Sequence, residues 1–361
     1  MPAAWQRPSI NAASRLGAQL MEMAVVVAAL FSGNGVVSLG WGSLAGGMLG
    51  LLLTLGAISR HWRLRQLPTL RPDRASLRWL FSVGVSTLLS RVVSQIAGNL
   101  ELALVSTTLG PSMAAVYGIT VRTFALVQGF INPIAGSAFS GLAHLMGQRG
   151  PSALLPPLRE LRGLFTLVVS VVVPAILVIN QDFVSLWVGP DKFGGRYLCA
   201  ALALSTVPVT QVSFLSFVSA ASGRLRSAAY LTVLEAVVRV PLMIAGLHIL
   251  GPAGIAISTS LECGLLVYYA YPALIGRGLG LARAAARTIG NDGLGAILGC
   301  VLAGGLAARY LPAATHWPTL VVKGALTALV LLGLTVLTNR GARSQLRVVG
   351  VRVFRRVQRF S

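Results

Sequence analysis

What most constrains this chain is a series of long stretches almost free of charge. Ten stand out: 16–33, 38–58, 79–108, 112–145, 162–182, 196–220, 227–248, 253–275, 289–308 and 318–338. Lipid offers no water to satisfy backbone N–H and C=O groups, so a segment of about 20 apolar residues crosses a bilayer as a helix. The breaks carry turn chemistry: Ser32-Gly33-Asn34-Gly35, Leu109-Gly110-Pro111, Gly189-Pro190-Asp191, Gly251-Pro252 and Asn291-Asp292-Gly293. The expected fold class is therefore all-α, a polytopic membrane helical bundle of about ten transmembrane helices. Charged residues make up 11% of the chain, against about 25% in soluble proteins, which excludes a soluble α/β enzyme. The third and fourth spans would measure about 45–50 Å at ~1.5 Å per residue. They must tilt, kink or project from the hydrocarbon, and Pro133 offers the fourth a place to kink.

The distribution of charge sets an orientation. With the first terminus taken as cytoplasmic, 23 of the 30 basic residues fall on that side, four fall within spans, and the other side holds Lys192, Arg196 and Arg309. This is a strong positive-inside asymmetry. It predicts a multi-pass protein of a bacterial inner (plasma) membrane with both termini cytoplasmic. It also accounts for the net charge of +21 through membrane lipids, with no nucleic acid. The tail 339–361 carries seven arginines and no acid, with Leu346, Val349, Val353, Val357 and Phe360 spaced along it. It reads equally as a helix lying on an anionic leaflet and as a disordered tail that fixes topology. The first 15 residues lack a signal-peptide cleavage pattern. Cys199, Cys263 and Cys300 lie apart in apolar stretches and read as small buried residues, not as a disulfide frame or metal site.

Familiar catalytic patterns are missing. The sequence holds no G-x-x-x-x-G-K-[ST], no H-E-x-x-H and no G-x-S-x-G. His61, His144, His248 and His316 are far apart and mostly near span ends, as interface residues would be. A membrane glycosyltransferase or polymerase would want charged groups in a sizeable outward connection. The largest, roughly 183–195, is short, and the acids on that side, Asp182 and Asp191, sit beside turn residues. The expectation is a protein that is not an enzyme, with no cofactor and no metal.

Ionisable residues within spans carry the sharper signal, because each costs about 2.5–3.5 kcal/mol on insertion scales and so tends to face a cavity or a partner. Span three reads Thr87, Arg91, Ser94, Gln95, Gly98, Asn99 and Glu101, a polar stripe at helical spacing. Arg91, Arg122 and Arg239 come out at similar depth, about 15–18 Å from the ends of their spans. A guanidinium grips phosphate bidentately and keeps its charge, so these three are candidate contacts for the diphosphate of a lipid-linked substrate. The competing reading is internal pairing: Glu235 with Arg239 at i,i+4, Glu262 with the same group, and Glu101 with Arg122 across the Gly110-Pro111 turn. Three arginines against three glutamates would leave the interior neutral. Glu101 and Glu262 are alternatively proton or sodium relay groups. Lys323, five residues inside its span, is expected to snorkel. Gly42, Gly46 and Gly50, and Gly295 with Gly299, are expected to be helix-packing faces.

Two segments carry a family likeness. The first runs from Leu77 to Ile119 and holds an acidic residue after a polar span, Leu109-Gly110-Pro111, and Tyr117. The second runs from Ala220 to Leu261, with short turns and the Gly251–Ala256 pattern. Together they resemble polysaccharide flippases, the lipid-linked oligosaccharide exporters that share the multidrug-exporter (MATE-like) fold. The sequence departs from that pattern in having Glu101 where the family has aspartate and Ala115 where it has glycine. The resemblance implies that 1–60 corresponds to the last two spans of a first lobe, 61–78 to a cytoplasmic linker and 79–276 to a six-span second lobe. Residues 277–338 would be two additional spans and 339–361 a basic cytoplasmic tail. Four spans of the first lobe would then be absent.

By that resemblance the chain would flip an anionic polyprenyl-diphosphate-linked oligosaccharide by alternating access. Arg91, Arg122, Arg239, Gln95, Asn99 and Tyr117 would contact substrate, and Glu101, Glu235 and Glu262 would serve ion coupling or pairing. Proton or sodium coupling is compatible with this, and other polysaccharide-assembly membrane proteins are conceivable partners. The alternatives are a cation-coupled small-molecule exporter of the same fold, a membrane glycosyltransferase or polymerase, and an inactive truncated remnant.

Overall fold

The structure is a computed structural model that describes residues 8–35, 37–61, 74–339, 341 and 343. Every regular element among them is helical, and each of the ten expected spans is occupied by helix. Among the described residues, eight helices or helix pairs are long and apolar enough to cross a membrane. The protein is a multi-pass helical bundle. Of the linker expected at 61–78, residues 62–73 lie outside the described residues and 74–78 belong to the helix that follows, and the tail expected at 339–361 lies almost entirely outside them.

Two compact units divide at Trp79 and Leu80. The first contains a hairpin of α1 (Pro8–Phe31) and α2 (Val37–His61) joined by a turn at Ser32–Gly35. The glycines at four-residue spacing let the two backbones approach. A Cβ on Gly42 would lie 2.9 Å from the Glu22 carbonyl oxygen, and one on Gly46 would lie 2.8 Å from that of Ala18. This is the small-residue packing expected of membrane helices.

The second unit starts within α3 (Arg74–Leu109), which turns at Gly110 into α4 (Pro111–Arg149). Then follow α5 (Leu155–Trp187), α6 (Arg196–Ala221), α7 (Leu225–Leu250) and α8 (Pro252–Leu265). A π-helical turn at Leu266–Ala270 leads into α9 (Tyr271–Leu279), followed by α10 (Arg283–Asn291), α11 (Leu294–Tyr310) and α12 (Trp317–Thr338). At its centre α4, α5 and α6 pack on one another, α8 lies on α6 with α7 on α8, and α11 and α12 both lie on α5. The core is a mixture of Val, Leu, Ala and Phe running from Val105 on α3 to Val301 on α11.

Polar contacts fix the central helices where apolar packing alone would let them slide. Thr123 donates to Asn180 Oδ1 at 2.7 Å, Asn180 donates to the Thr120 carbonyl at 3.2 Å, and the Gly194 amide donates to Thr120 Oγ1 at 2.9 Å. These groups are buried, so each unmade bond would cost the desolvation of a polar atom, about 1–3 kcal/mol. The helices α7 and α8 cross at two glycines. A Cβ on Gly254 would fall 1.8 Å from the Gly246 carbonyl oxygen, and Ser258 Oγ donates to the Leu242 carbonyl at 2.7 Å beside that crossing.

Two sequence expectations change here. The ninth span, 289–308, is not one continuous helix: Asp292 and Gly293, the latter at φ +81°, divide it into short α10 and seventeen-residue α11, which together remain long and apolar enough to cross a membrane. Gly295 and Gly299 are not a packing face, since a Cβ on either would meet nothing within 4 Å. The packing glycine of α11 is Gly304, whose Cβ would lie 2.6 Å from Pro174 Cβ. Five residues at about 100° each place it some 140° round the helix from Gly299.

Candidate functional site

The largest concentration of charge inside the bundle lies where α7 meets α8. One turn of α7 separates Glu235 from Arg239, which puts both on one face, and the guanidinium donates to the Glu235 carboxylate. Its Nε donates to Glu262 Oε2 on α8 at 2.9 Å, and the Cys263 thiol lies 3.4 Å from the same guanidinium. The close glycine crossing brings α8 near enough for this pairing. Glu262 is 3% exposed, and its second oxygen has no hydrogen-bond partner among the described residues. A buried carboxylate oxygen left unpaired is costly, so it is a place for a proton, water or cation to bind. The π-helical turn begins three residues beyond Cys263; such insertions are frequent at functional sites.

The same group of charges reaches α3 and α4. Tyr117 is 2% exposed and donates its hydroxyl to Glu101 Oε2 at 3.2 Å, with Leu102 and Gly118 in contact beside the pair. Arg239 acts electrostatically on Glu101 as well as on Glu235 and Glu262. The α7–α8 cluster and the Glu101–Tyr117 pair of α3 and α4 are thus two polar groups linked by the charge of Arg239. Glu235, Glu262 and Cys263 present their ligand atoms within 4.8 Å of one another, a spacing that would suit a metal. Arg239 already donates to both carboxylates, so a metal ion would have to displace a guanidinium.

Other sequence-selected residues fall elsewhere. Glu101 pairs with Tyr117 and not with Arg122. Tyr117 faces α3, and Arg122 lies about 140° further round α4 at ~100° per residue. Arg122 is exposed, with no ion-pair partner among the described residues. Of the three arginines expected inside the spans, Arg239 stands among the glutamates and Arg122 does not. Gln95 and Asn99 are exposed along α3, the polar stripe turned away from Ala97 and Val105, which are buried. Arg91 lies on α3, but its side chain is outside the described residues. The cysteines are free and buried, as expected.

Three polar features escaped the sequence. Arg162, assigned to the cytoplasmic side, is 2% exposed. It donates to Gln211, donates through Nε to the Asp292 carbonyl at 2.8 Å, and lies against Phe165 and Phe214, whose rings touch each other. Asp182 is buried on α5 and pairs with Lys323 Nζ of α12 at 2.7 Å, so Lys323 does not simply snorkel. Glu22, six residues into the first span, accepts from Ser43 at 3.0 Å inside the hairpin. Only Glu22 had a signal to find it, an acid well inside an apolar run. The other two depend on partners 49 to 141 residues away.

A helical membrane bundle with an ion-paired cluster in its interior defines the class to which this chain corresponds, a polytopic membrane protein with a buried polar site. Residues 2–140 match the model of a family described as Polysaccharide biosynthesis protein. The matched segment contains the Gly42–Gly50 hairpin, the polar stripe of α3, Glu101, Tyr117 and Arg122. No curated protein and no solved structure matches the chain.

Proposed function

We propose that this protein is a flippase that moves a polyprenyl-diphosphate-linked oligosaccharide across the bacterial inner membrane for surface polysaccharide synthesis. The observation that carries the proposal is the ion-paired Glu235, Arg239 and Glu262 cluster, buried at Glu262 and half-buried at the other two, with Glu101 within reach of its charge, in a chain whose residues 2–140 match a polysaccharide-biosynthesis family. Charges inside a membrane are expensive and mark substrate or ion pathways. Three carboxylates against one guanidinium carry an excess of negative charge when ionised. Binding of protons or sodium relieves it, and their release to the other side would drive one conformation into the next.

In this reading Arg239 belongs to coupling, since its guanidinium is occupied by Glu235 and Glu262. Contact with the anionic diphosphate falls to Arg122, exposed on α4, and to Arg91, with Gln95 and Asn99 toward the sugar. Tyr117 holds Glu101 in place between the two sets. Both termini would lie in the cytoplasm, and other polysaccharide-assembly membrane proteins would supply and consume the substrate. The acidic excess also suits a cation-coupled exporter of small molecules, but an exposed midspan Arg122 disfavours a cationic cargo.

The test is deletion of the gene followed by complementation. Wild type should restore surface polysaccharide, and Arg122→Ala should fail to do so at equal membrane abundance, with lipid-linked oligosaccharide accumulating. Full restoration by Arg122→Ala would remove the diphosphate role, and transfer of labelled sugar by the purified protein would make it an enzyme.

A further inference from the structure

A second site lies at the other end of α5 from Arg162. A cavity of about 490 Å³ opens there between the ends of α5, α6, α11 and α12. Its polar lining includes Gln181, Asp182, Arg196, Tyr197, Arg309 and Lys323. Charge on this wall is unevenly matched. Asp182 has its charge matched by Lys323, its Oδ2 accepting from Lys323 Nζ at 2.7 Å and from the Ala314 amide at 3.1 Å. Lys323 spends a further donor on the Pro312 carbonyl at 3.0 Å. Arg196 gives its Nε to the neutral Gln181 amide at 3.1 Å, and neither Arg196 nor Arg309 has a carboxylate partner among the described residues. The cavity therefore carries two uncompensated guanidinium groups.

Their placement is not what chance distribution of basic residues would give. Arg196 and Arg309 are two of the three basic residues expected on the outward side, against 23 on the other, and both line this one cavity. Arg196 is the first residue of α6, whose start has no side-chain cap, so the positive end of a 26-residue helix adds to the field. Leu177, Val178 and Leu311 add apolar surface to the same lining.

We propose that this cavity binds a phosphate group, and that its source is the headgroup of an anionic phospholipid whose acyl chains run along the apolar wall. Two guanidiniums gripping one phosphodiester would bridge α6 to α11 and so brace the last two membrane helices against the rest of the unit. Free inorganic phosphate would satisfy the same guanidiniums but would make no use of the apolar lining.

Native mass spectrometry of the purified full-length protein tests this, with phosphatidylglycerol, phosphatidylcholine and inorganic phosphate added separately. Wild type should retain one phosphatidylglycerol in preference to phosphatidylcholine. Arg196→Gln with Arg309→Gln should weaken that binding about tenfold for each guanidinium removed, while Arg149→Gln, at the opposite end of the bundle, leaves it unchanged. Both cavity arginines are exposed, so the double variant should keep the wild-type melting temperature in lipid-free detergent. Arg196→Lys with Arg309→Lys should recover part of the binding. Phosphate binding as tightly as the lipid, and competing with it, would overturn the headgroup as source. Equal binding of phosphatidylglycerol by wild type and the glutamine variant would overturn the site.

Discussion

Arg239 holds two carboxylates, and its removal tests whether the cluster is a true ion-paired network. Arg239→Ala strands Glu235 and Glu262 in a low-dielectric interior, which should destabilise the protein by about 3–5 kcal/mol. Neutralising all three, as Glu235→Gln, Arg239→Met and Glu262→Gln together, should restore most of that stability while transport stays lost. Thermal unfolding in detergent checks both; an Arg239→Ala protein as stable as wild type would mean that the pairs do not form. The Asp182–Lys323 pair gives a second case. Lys323→Met leaves a buried carboxylate, 5% exposed, and should cost more than Asp182→Asn, which keeps an acceptor for the Ala314 amide. Spacing made part of this visible: Glu235 and Arg239 are four apart, and Glu262 lies at a compatible depth. Spacing could not reveal that Lys323 reaches Asp182 across 141 residues or that Arg162 is buried against a pair of phenylalanines. The partner of Glu101 was not legible either, because Tyr117 and Arg122 are both within reach in sequence and only the face of α4 turned toward α3 decides for Tyr117.

At the scale of elements, glycine position decides which helices touch. Gly254→Ala would place a methyl group inside the Gly246 backbone, forcing α7 away from α8 and pulling Glu262 from Arg239. It should destabilise by about 1–3 kcal/mol or more and abolish transport as well. Gly295→Ala and Gly299→Ala meet open space and should be neutral or stabilising by up to about 1 kcal/mol each. Thermal unfolding of the three variants orders them; equal losses would contradict the assigned packing faces. Helix existence was legible throughout, because apolar runs broken by Gly, Pro, Asn and Asp leave few alternatives. Helix faces were less so. Gly42, Gly46 and Gly50 pack as their spacing suggests, while Gly295 and Gly299 have the same spacing and pack against nothing. What separates them is the neighbour, Glu22 and Ala18 in one case and open space in the other, and a neighbour is not written in a helix's own sequence.

For the whole molecule, charge asymmetry predicts an orientation that the fold allows. The connections at 188–195 and 311–316 lie at one end of α5 and α12, and those at 150–154 and 339 lie at the other. Single cysteines introduced at Lys192 and at Arg149 into a protein lacking Cys199, Cys263 and Cys300 should label from outside and from inside the cell respectively. Labelling of both from one side would overturn the topology. The central claim is movement of a lipid-linked oligosaccharide driven through the buried cluster. It is tested most directly in proteoliposomes holding the purified protein and a fluorescent polyprenyl-diphosphate oligosaccharide, with flipping read by quencher access to the label under an imposed proton or sodium gradient. Wild type should flip the lipid and respond to one of the gradients, Glu262→Gln should lose the gradient response, and Arg122→Ala should lose flipping. Wild-type vesicles that flip no faster than protein-free ones, or a Glu262→Gln protein with an undiminished gradient response, would contradict it.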